Sequence, residues 1–281
     1  IPQGDMPGDK VWSGPMSIEK ANVTFRAVLP LLKEALENNP AHKAVITVTG
    51  GSGVMKTCVS ALLTYYLNQL GVNAFTMSGD NYPKRYPELN DMERMRIFRL
   101  AGVRGMLKEG VYNSENAATL KELQLKDLDS DPAQCQEHPW LAAYLEAGKE
   151  ALSQYLGTEQ EQEYNQTEEV LRQFKEGQDK IWLKRMGRDD TALWYEEKDF
   201  SDIDVVVLEW THGNSGKFQG VDVPILLAST PANADTAFIT MVIELEQKTL
   251  EARAPYAKVI VSKSCKLLNY EEYKQLMAAG R

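Results

Sequence analysis

Cysteine and histidine are scarce in this sequence, with three of each among 281 residues. Cys58, Cys135 and Cys265 stand far apart and form no C-x-x-C pair. That spacing argues against a structural zinc site and against a disulfide framework. No apolar run approaches the roughly 20 residues a membrane helix needs, so no membrane partner is expected. The opening stretch IPQGDMPGDK has neither the basic region nor the apolar region of a secretory signal, and the expected compartment is cytoplasmic. Positive charge is short as well: 31 Lys and Arg stand against 40 Asp and Glu, a net −9, with no basic tail. Nucleic acid requires a positive footprint, so it is not an expected partner. What remains is an ordinary globular mixture, 43% hydrophobic and 25% charged, long enough for one large α/β domain.

The chain begins with a Gly- and Pro-containing arm, residues 1–17, expected to be irregular. Apolar positions Val23, Val28, Leu29, Leu32 and Leu36 then recur at helical spacing over 17–39, with Pro30 as an expected kink or boundary. KAVITVTGG, residues 43–51, is a β-branched run that stops in glycine, the signature of a buried parallel strand. A helix is expected over 57–70 and a second strand over 72–78. Residues 86–200 read as a helix-rich, charged insertion, with helices near 91–109, 115–126, 139–156 and 158–178. Strand patterns return at 204–209, 222–228 and 257–262, with a helix near 235–253. Strands separated by crossover helices imply a three-layer α/β fold around a doubly wound, mostly parallel sheet, in a single domain spanning 1–281.

The segment Gly50-Gly51-Ser52-Gly53-Val54-Met55-Lys56-Thr57 follows the first strand and opens a helix. It fits the phosphate-loop pattern G-x-x-x-x-G-K-[ST] at Gly50, Lys56 and Thr57. Backbone N–H groups of such a loop, together with the helix start, converge on phosphate oxygens. Lys56 would reach the outer phosphates and the Thr57 hydroxyl would hold Mg²⁺. Met55 stands where the pattern has glycine, and a side chain there would narrow the pocket or redirect the loop. A dinucleotide-binding loop, G-x-G-x-x-G, is the competing reading; Gly51-x-Gly53 begins it, but Lys56 occupies the place of the third glycine.

Beyond the second strand runs Ser78-Gly79-Asp80-Asn81-Tyr82-Pro83-Lys84-Arg85. Asp80, at a strand's carboxyl end beside the phosphate-loop strand, would accept a proton from a substrate hydroxyl or help hold Mg²⁺ through water. A phosphate loop followed by this acid and aromatic resembles the phosphoribulokinase, uridine kinase and pantothenate kinase group, and adenylylsulfate kinase is similar in the early half. The resemblance implies transfer of the γ-phosphate of ATP or GTP, with Mg²⁺, to a hydroxyl. It also places Glu209, which ends the run Val205-Val206-Val207-Leu208-Glu209, at the Walker B position, as a metal or water organiser. Kinases of this group close an arginine-bearing lid after the fourth strand; residues 229–237 carry no Lys or Arg.

Basic residues near these turns suggest a small anionic acceptor, because arginine's planar fork grips two oxygens at once. Arg85 and Arg188 are the expected clamps, with Tyr82 and His212 as further substrate contacts. The expected catalytic set is Lys56, Asp80 and Glu209, and the expected metal set is Thr57, Asp80 and Glu209. A nucleotide-binding regulator with little turnover is the alternative, motivated by Met55 and the missing lid arginines; an NAD-linked dehydrogenase is the third reading. A homodimer is compatible with all three.

Overall fold

The computed structural model describes residues 3–188, 190–230 and 234–279. It divides into two compact units. The first comprises 1–86, 162–230 and 247–281, and the second comprises 87–161 and 231–246.

In the first unit, helix α1 (Pro15–Asn38) precedes strand β1 (Ala44–Gly50), helix α2 (Lys56–Gln69) and strand β2 (Ala74–Ser78). Helix α1 continues past Pro30. Both Pro30 and Arg26, whose carbonyl loses its helical donor, face solvent, where water substitutes. Meanwhile Ala21, Thr24, Val28 and Leu32 keep a continuous buried stripe. The expected boundary at Pro30 is therefore overridden by packing.

The second unit is helical, built from α3 (Pro87–Lys108), α4 (Ser114–Leu125) and α5 (Leu141–Tyr155), together with the beginning of a later helix. Phe98, Met106, Leu120, Tyr144 and Leu152 form its core with Phe238 and Met241. A Cβ on Gly102 would lie 2.5 Å from the Tyr144 ring, so this glycine is what lets α3 and α5 close on each other.

The chain rejoins the first unit with α6 (Tyr164–Lys175) and a hairpin of β3 (Lys180–Met186) and β4 (Leu193–Asp199). This hairpin closes the region expected to be a helix-rich insertion over 86–200. Next come β5 (Val205–Glu209), β6 (Val223–Leu227), α7 (Ala237–Arg253), β7 (Val259–Val261), β8 (Leu267–Leu268) and α8 (Tyr270–Ala279).

The main sheet has the order β2-β5-β1-β6-β7-β8, parallel except for the short β8. The expected doubly wound parallel sheet is present, and its first, second and third parallel strands are the ones that carry the candidate chemistry. One face packs Ile46, Val48, Val205, Val207 and Ile225 under Val28 and Leu32 of α1 and Val59, Leu63 and Leu67 of α2. The other face packs Val45, Met77, Val206 and Leu208 under Leu171 and Phe174 of α6 and Ile181 and Leu183 of β3. Burial on both faces explains why these strands read as unbroken apolar runs. Part of the expected lid stretch, residues 231–233, lies outside the described residues.

Candidate active site

The loop between β1 and α2 is set by three residues with positive φ. Gly50 has φ 153°, and a Cβ there would sit 2.7 Å from the Leu227 carbonyl oxygen of the neighbouring strand. Gly53 has φ 76°. Met55 has φ 70° and ψ 30°, the left-handed conformation, at the N-cap of α2. The glycine of the sequence pattern is thus explained here by backbone conformation: the loop keeps the path glycine would allow, with a Met on it. No side chain caps α2, so its first N–H groups are left for an anion. Lys56 Nζ crosses the loop to the Gly51 carbonyl at 3.1 Å.

A left-handed Met costs about 1–2 kcal/mol, partly returned because glycine loses more freedom on folding. Met55→Gly is therefore expected to stabilise the protein by about 0.5–1 kcal/mol, and the β-branched Met55→Val to destabilise it by about 1–2 kcal/mol. Urea unfolding of the pair checks this; a Gly variant less stable than the Val variant would refute the strain.

Adjacent strand ends bring the acids to this loop. In register, Glu209 lies opposite Ser78 on one side and Val48 on the other, two residues before Gly50. Asp80 sits in the short 3-10 turn Gly79–Asn81 that ends β2, its amide bonded to Ser78 Oγ at 3.3 Å. Gly79 is required there, because a Cβ would fall 1.9 Å from the Trp210 ring. Asn214 ties the loop after β5 back to β1 through Thr47 and Thr49.

Glu209 is 4% exposed. Burial pushes its carboxyl up to about 7, the Asp80 charge adds to the shift, and the Lys56 ammonium opposes it. Asp9 and Arg188 act on the same group more weakly, with opposite signs. Lys56, Asp80 and Glu209, the expected catalytic set, therefore share one electrostatic site. Thr57 follows Lys56 at the start of α2, half-buried.

Other expected residues are placed differently. Arg188, its side chain 45% exposed, is paired with Asp9, and the more buried Arg185 is paired with Asp5 at 3.0 Å. Arg85 is partly buried beyond the β2 turn. Tyr82 is 1% exposed, its ring set in the core with Tyr164, Trp210 and Phe218, rather than lining the acidic site. His212 is buried edge-on against Trp210, centroids 5.7 Å apart.

Three residues of the site carry no signal in the sequence. Asp5 accepts the Ser78 amide at 3.0 Å, and Asp9 has its carboxyl raised by burial against the opposing Arg188. Both lie in the arm that reads as irregular. Lys20 of α1, 1% exposed, directs its Nζ at the Val54 carbonyl of the phosphate loop at 3.5 Å. Long-range pairing of this kind has no local pattern to betray it.

The chain has a mostly parallel sheet between helices, with a glycine-containing loop leading from β1 into α2. No protein-family model matches it. Over 241 residues it is 36% identical to a bifunctional alpha-galactosidase/sucrose kinase of Mediterraneibacter gnavus, a match covering 81% of this chain and 21% of that protein. The chain thus spans about a fifth of that relative's length. Among solved structures it is similar to D-glycerate 3-kinase from Cryptococcus neoformans (13% identity, 92% of this chain and 99% of that one, TM-score 0.45). It is also similar to phosphoribulokinase from Rhodobacter spheroides (15% identity, 78% and 70%, TM-score 0.39).

Proposed function

We propose that this protein is a nucleotide-dependent phosphotransferase that moves the γ-phosphate of ATP or GTP to a hydroxyl of a small, neutral, polyhydroxylated acceptor. One observation carries the reading: the buried Glu209 sits at a strand end next to those leading to Lys56 and Asp80, and both of these charges act on it. Lys56 and the loop amides would bind the β- and γ-phosphates, Asp80 would take the acceptor's proton, and Glu209 would orient the reacting groups. The donor set also suits Mg²⁺: a hydroxyl at Thr57, an exposed carboxylate at Asp80, and a buried carboxyl at Glu209 whose charge lacks full compensation. These residues would hold Mg²⁺, which would offset part of the negative charge of the phosphates.

The acceptor is proposed as neutral because Arg188, one of the two expected clamps, is already paired with Asp9, and nearby Arg185 is paired with Asp5. A further phosphate or carboxylate would compete with them and meet Asp80 and Glu209 as like charges. The sucrose kinase named in the relative makes sucrose the first acceptor to try.

Turnover with ATP or GTP and Mg²⁺ should be screened against sucrose, other neutral sugars, and sugar acids. Turnover with at least one neutral sugar is expected. Asp80→Asn should lower kcat by about 10²–10⁴-fold with little change in nucleotide affinity, as for a general base. Sugar acids as the sole substrates, or Asp80→Asn at wild-type rate, would refute the assignment. Among the described residues no helix is long and apolar enough to cross a membrane.

A further inference from the structure

Side chains alternate across the β3–β4 hairpin, and its two faces differ in chemistry. Ile181 and Leu183 enter the core, and Arg185, on the same face, meets Asp5. The opposite face carries Trp182 and Lys184, with Tyr195 paired directly across from Lys184. Trp182 is 59% exposed and Tyr195 is 48% exposed, unusual for large aromatics with no described role.

These residues form one wall of a groove of about 420 Å³, whose other wall is α6. The α6 wall presents Gln166, Glu169 and Gln173, spaced three and four residues apart on one helical face. The Tyr195 hydroxyl spans the groove to Gln166 Oε1 at 2.9 Å. Tyr82 lines it too. Its hydroxyl is buried beside the Lys184 backbone, yet has no partner in hydrogen-bond geometry among the described residues.

The charges select among ligands. Lys184, the cation of the lining, is already held by Glu163 at 2.7 Å and the Pro83 carbonyl at 2.8 Å. Glu169 is hydrogen-bonded by Arg172 and Gln173, which hold its carboxyl below the usual range, so it stays ionised and repels anions. What the groove offers is two aromatic ring faces for an apolar C–H surface, and amides and a carboxylate for neighbouring hydroxyls. That pairing of surfaces is the chemistry of a sugar ring.

We propose that the groove between α6 and the β3–β4 hairpin is a binding site for a neutral saccharide, separate from the phosphate-loop site. It lies on the hairpin face opposite Arg185, and none of its residues belongs to the set proposed for phosphotransfer. Binding there rests on the groove's own lining and does not depend on catalysis.

The test is saturation-transfer NMR on the full chain without nucleotide, titrating sucrose, maltose, glucose and glucuronate. Saturable binding of at least one neutral sugar is expected, with Kd around 1 mM. Trp182→Ala should weaken it at least about tenfold and Trp182→Phe should restore part of it, because the ring face supplies the contact. Lys56→Ala should bind as the wild type does, and Trp182→Ala should keep wild-type turnover. The proposal is overturned by no saturable binding of any neutral sugar, by unchanged affinity in Trp182→Ala, or by glucuronate binding more tightly than the neutral sugars. Loss of binding in Lys56→Ala would also overturn it, because the sugar would then sit in the phosphate-loop site. Phosphotransfer failing while groove binding persists would sink only the proposed function.

Discussion

Lys56→Ala is expected to lower turnover by about 10²–10³-fold while the chain remains folded. The ammonium is half-buried and crosses the loop to the Gly51 carbonyl, so it is placed for phosphate rather than for holding the fold together. Its loss removes the cation that would meet charge developing on the transferred phosphoryl group. A second consequence separates this variant from a merely weakened one. Lys56 also opposes the upward shift of the Glu209 carboxyl, which already stands at about 7. Without Lys56 that carboxyl moves higher still, and the acid limb of the pH–rate profile should shift to higher pH. Lys56→Arg should recover little, because a broad planar fork does not replace a compact point charge. Steady-state rates across pH for the three proteins measure all of this. Wild-type turnover in Lys56→Ala would remove the phosphate loop from the mechanism.

The parts of the fold written as local patterns are legible in the sequence, and the parts set by distant partners are not. β1, β5 and β6 are buried on both faces, so their β-branched runs stand out without tertiary knowledge. The β3–β4 hairpin is hidden because β4, LWYEEKD, is exposed almost throughout and mixes aromatic and charged residues. Its pairing with KIWLKRM is visible only as register. Met55 is legible as a departure from the phosphate-loop pattern, but only its φ of 70° explains the departure. Where a narrowed or redirected loop is expected, the structure has a residue held in glycine's conformation. Asp80 and Glu209 can be picked out because strand ends mark the crevice of a parallel sheet. Asp9 and Lys20 cannot, because their partners, Arg188 and the Val54 carbonyl, lie far along the chain. The pairing of Arg185 and Arg188 is hidden for the same reason: counting basic residues near a turn does not reveal that acids matching them sit in the N-terminal arm.

Glu209→Gln should make the protein more stable at alkaline pH while lowering its activity. The carboxyl's ordinary value is 4.5, and in the fold burial first, and Asp80 second, raise it to about 7. An acid raised in this way keeps its proton in the folded state at pH values where the unfolded chain has released it. Its contribution to stability is therefore complete below about 4.5 and is lost as pH rises through about 7. Above that, the native protein carries a buried, incompletely compensated charge, a difference of at most about 3 kcal/mol across the window. Glutamine cannot ionise, so the variant lacks this slope. Any fixed cost of placing an amide in the pocket is the same at every pH, so the diagnostic quantity is the change in ΔΔG between pH 5 and pH 8. Urea unfolding at the two values should show the variant gaining on the wild type by about 1–3 kcal/mol as pH rises. A ΔΔG that does not move with pH would mean that Lys56 and Arg188 already neutralise the carboxylate. The wild type would then have no uncompensated negative charge at this strand end to offer a cation. A gain in alkaline stability joined to a loss of turnover would instead mark Glu209 as a strained group retained for chemistry, in the pattern by which active sites hold destabilising charges.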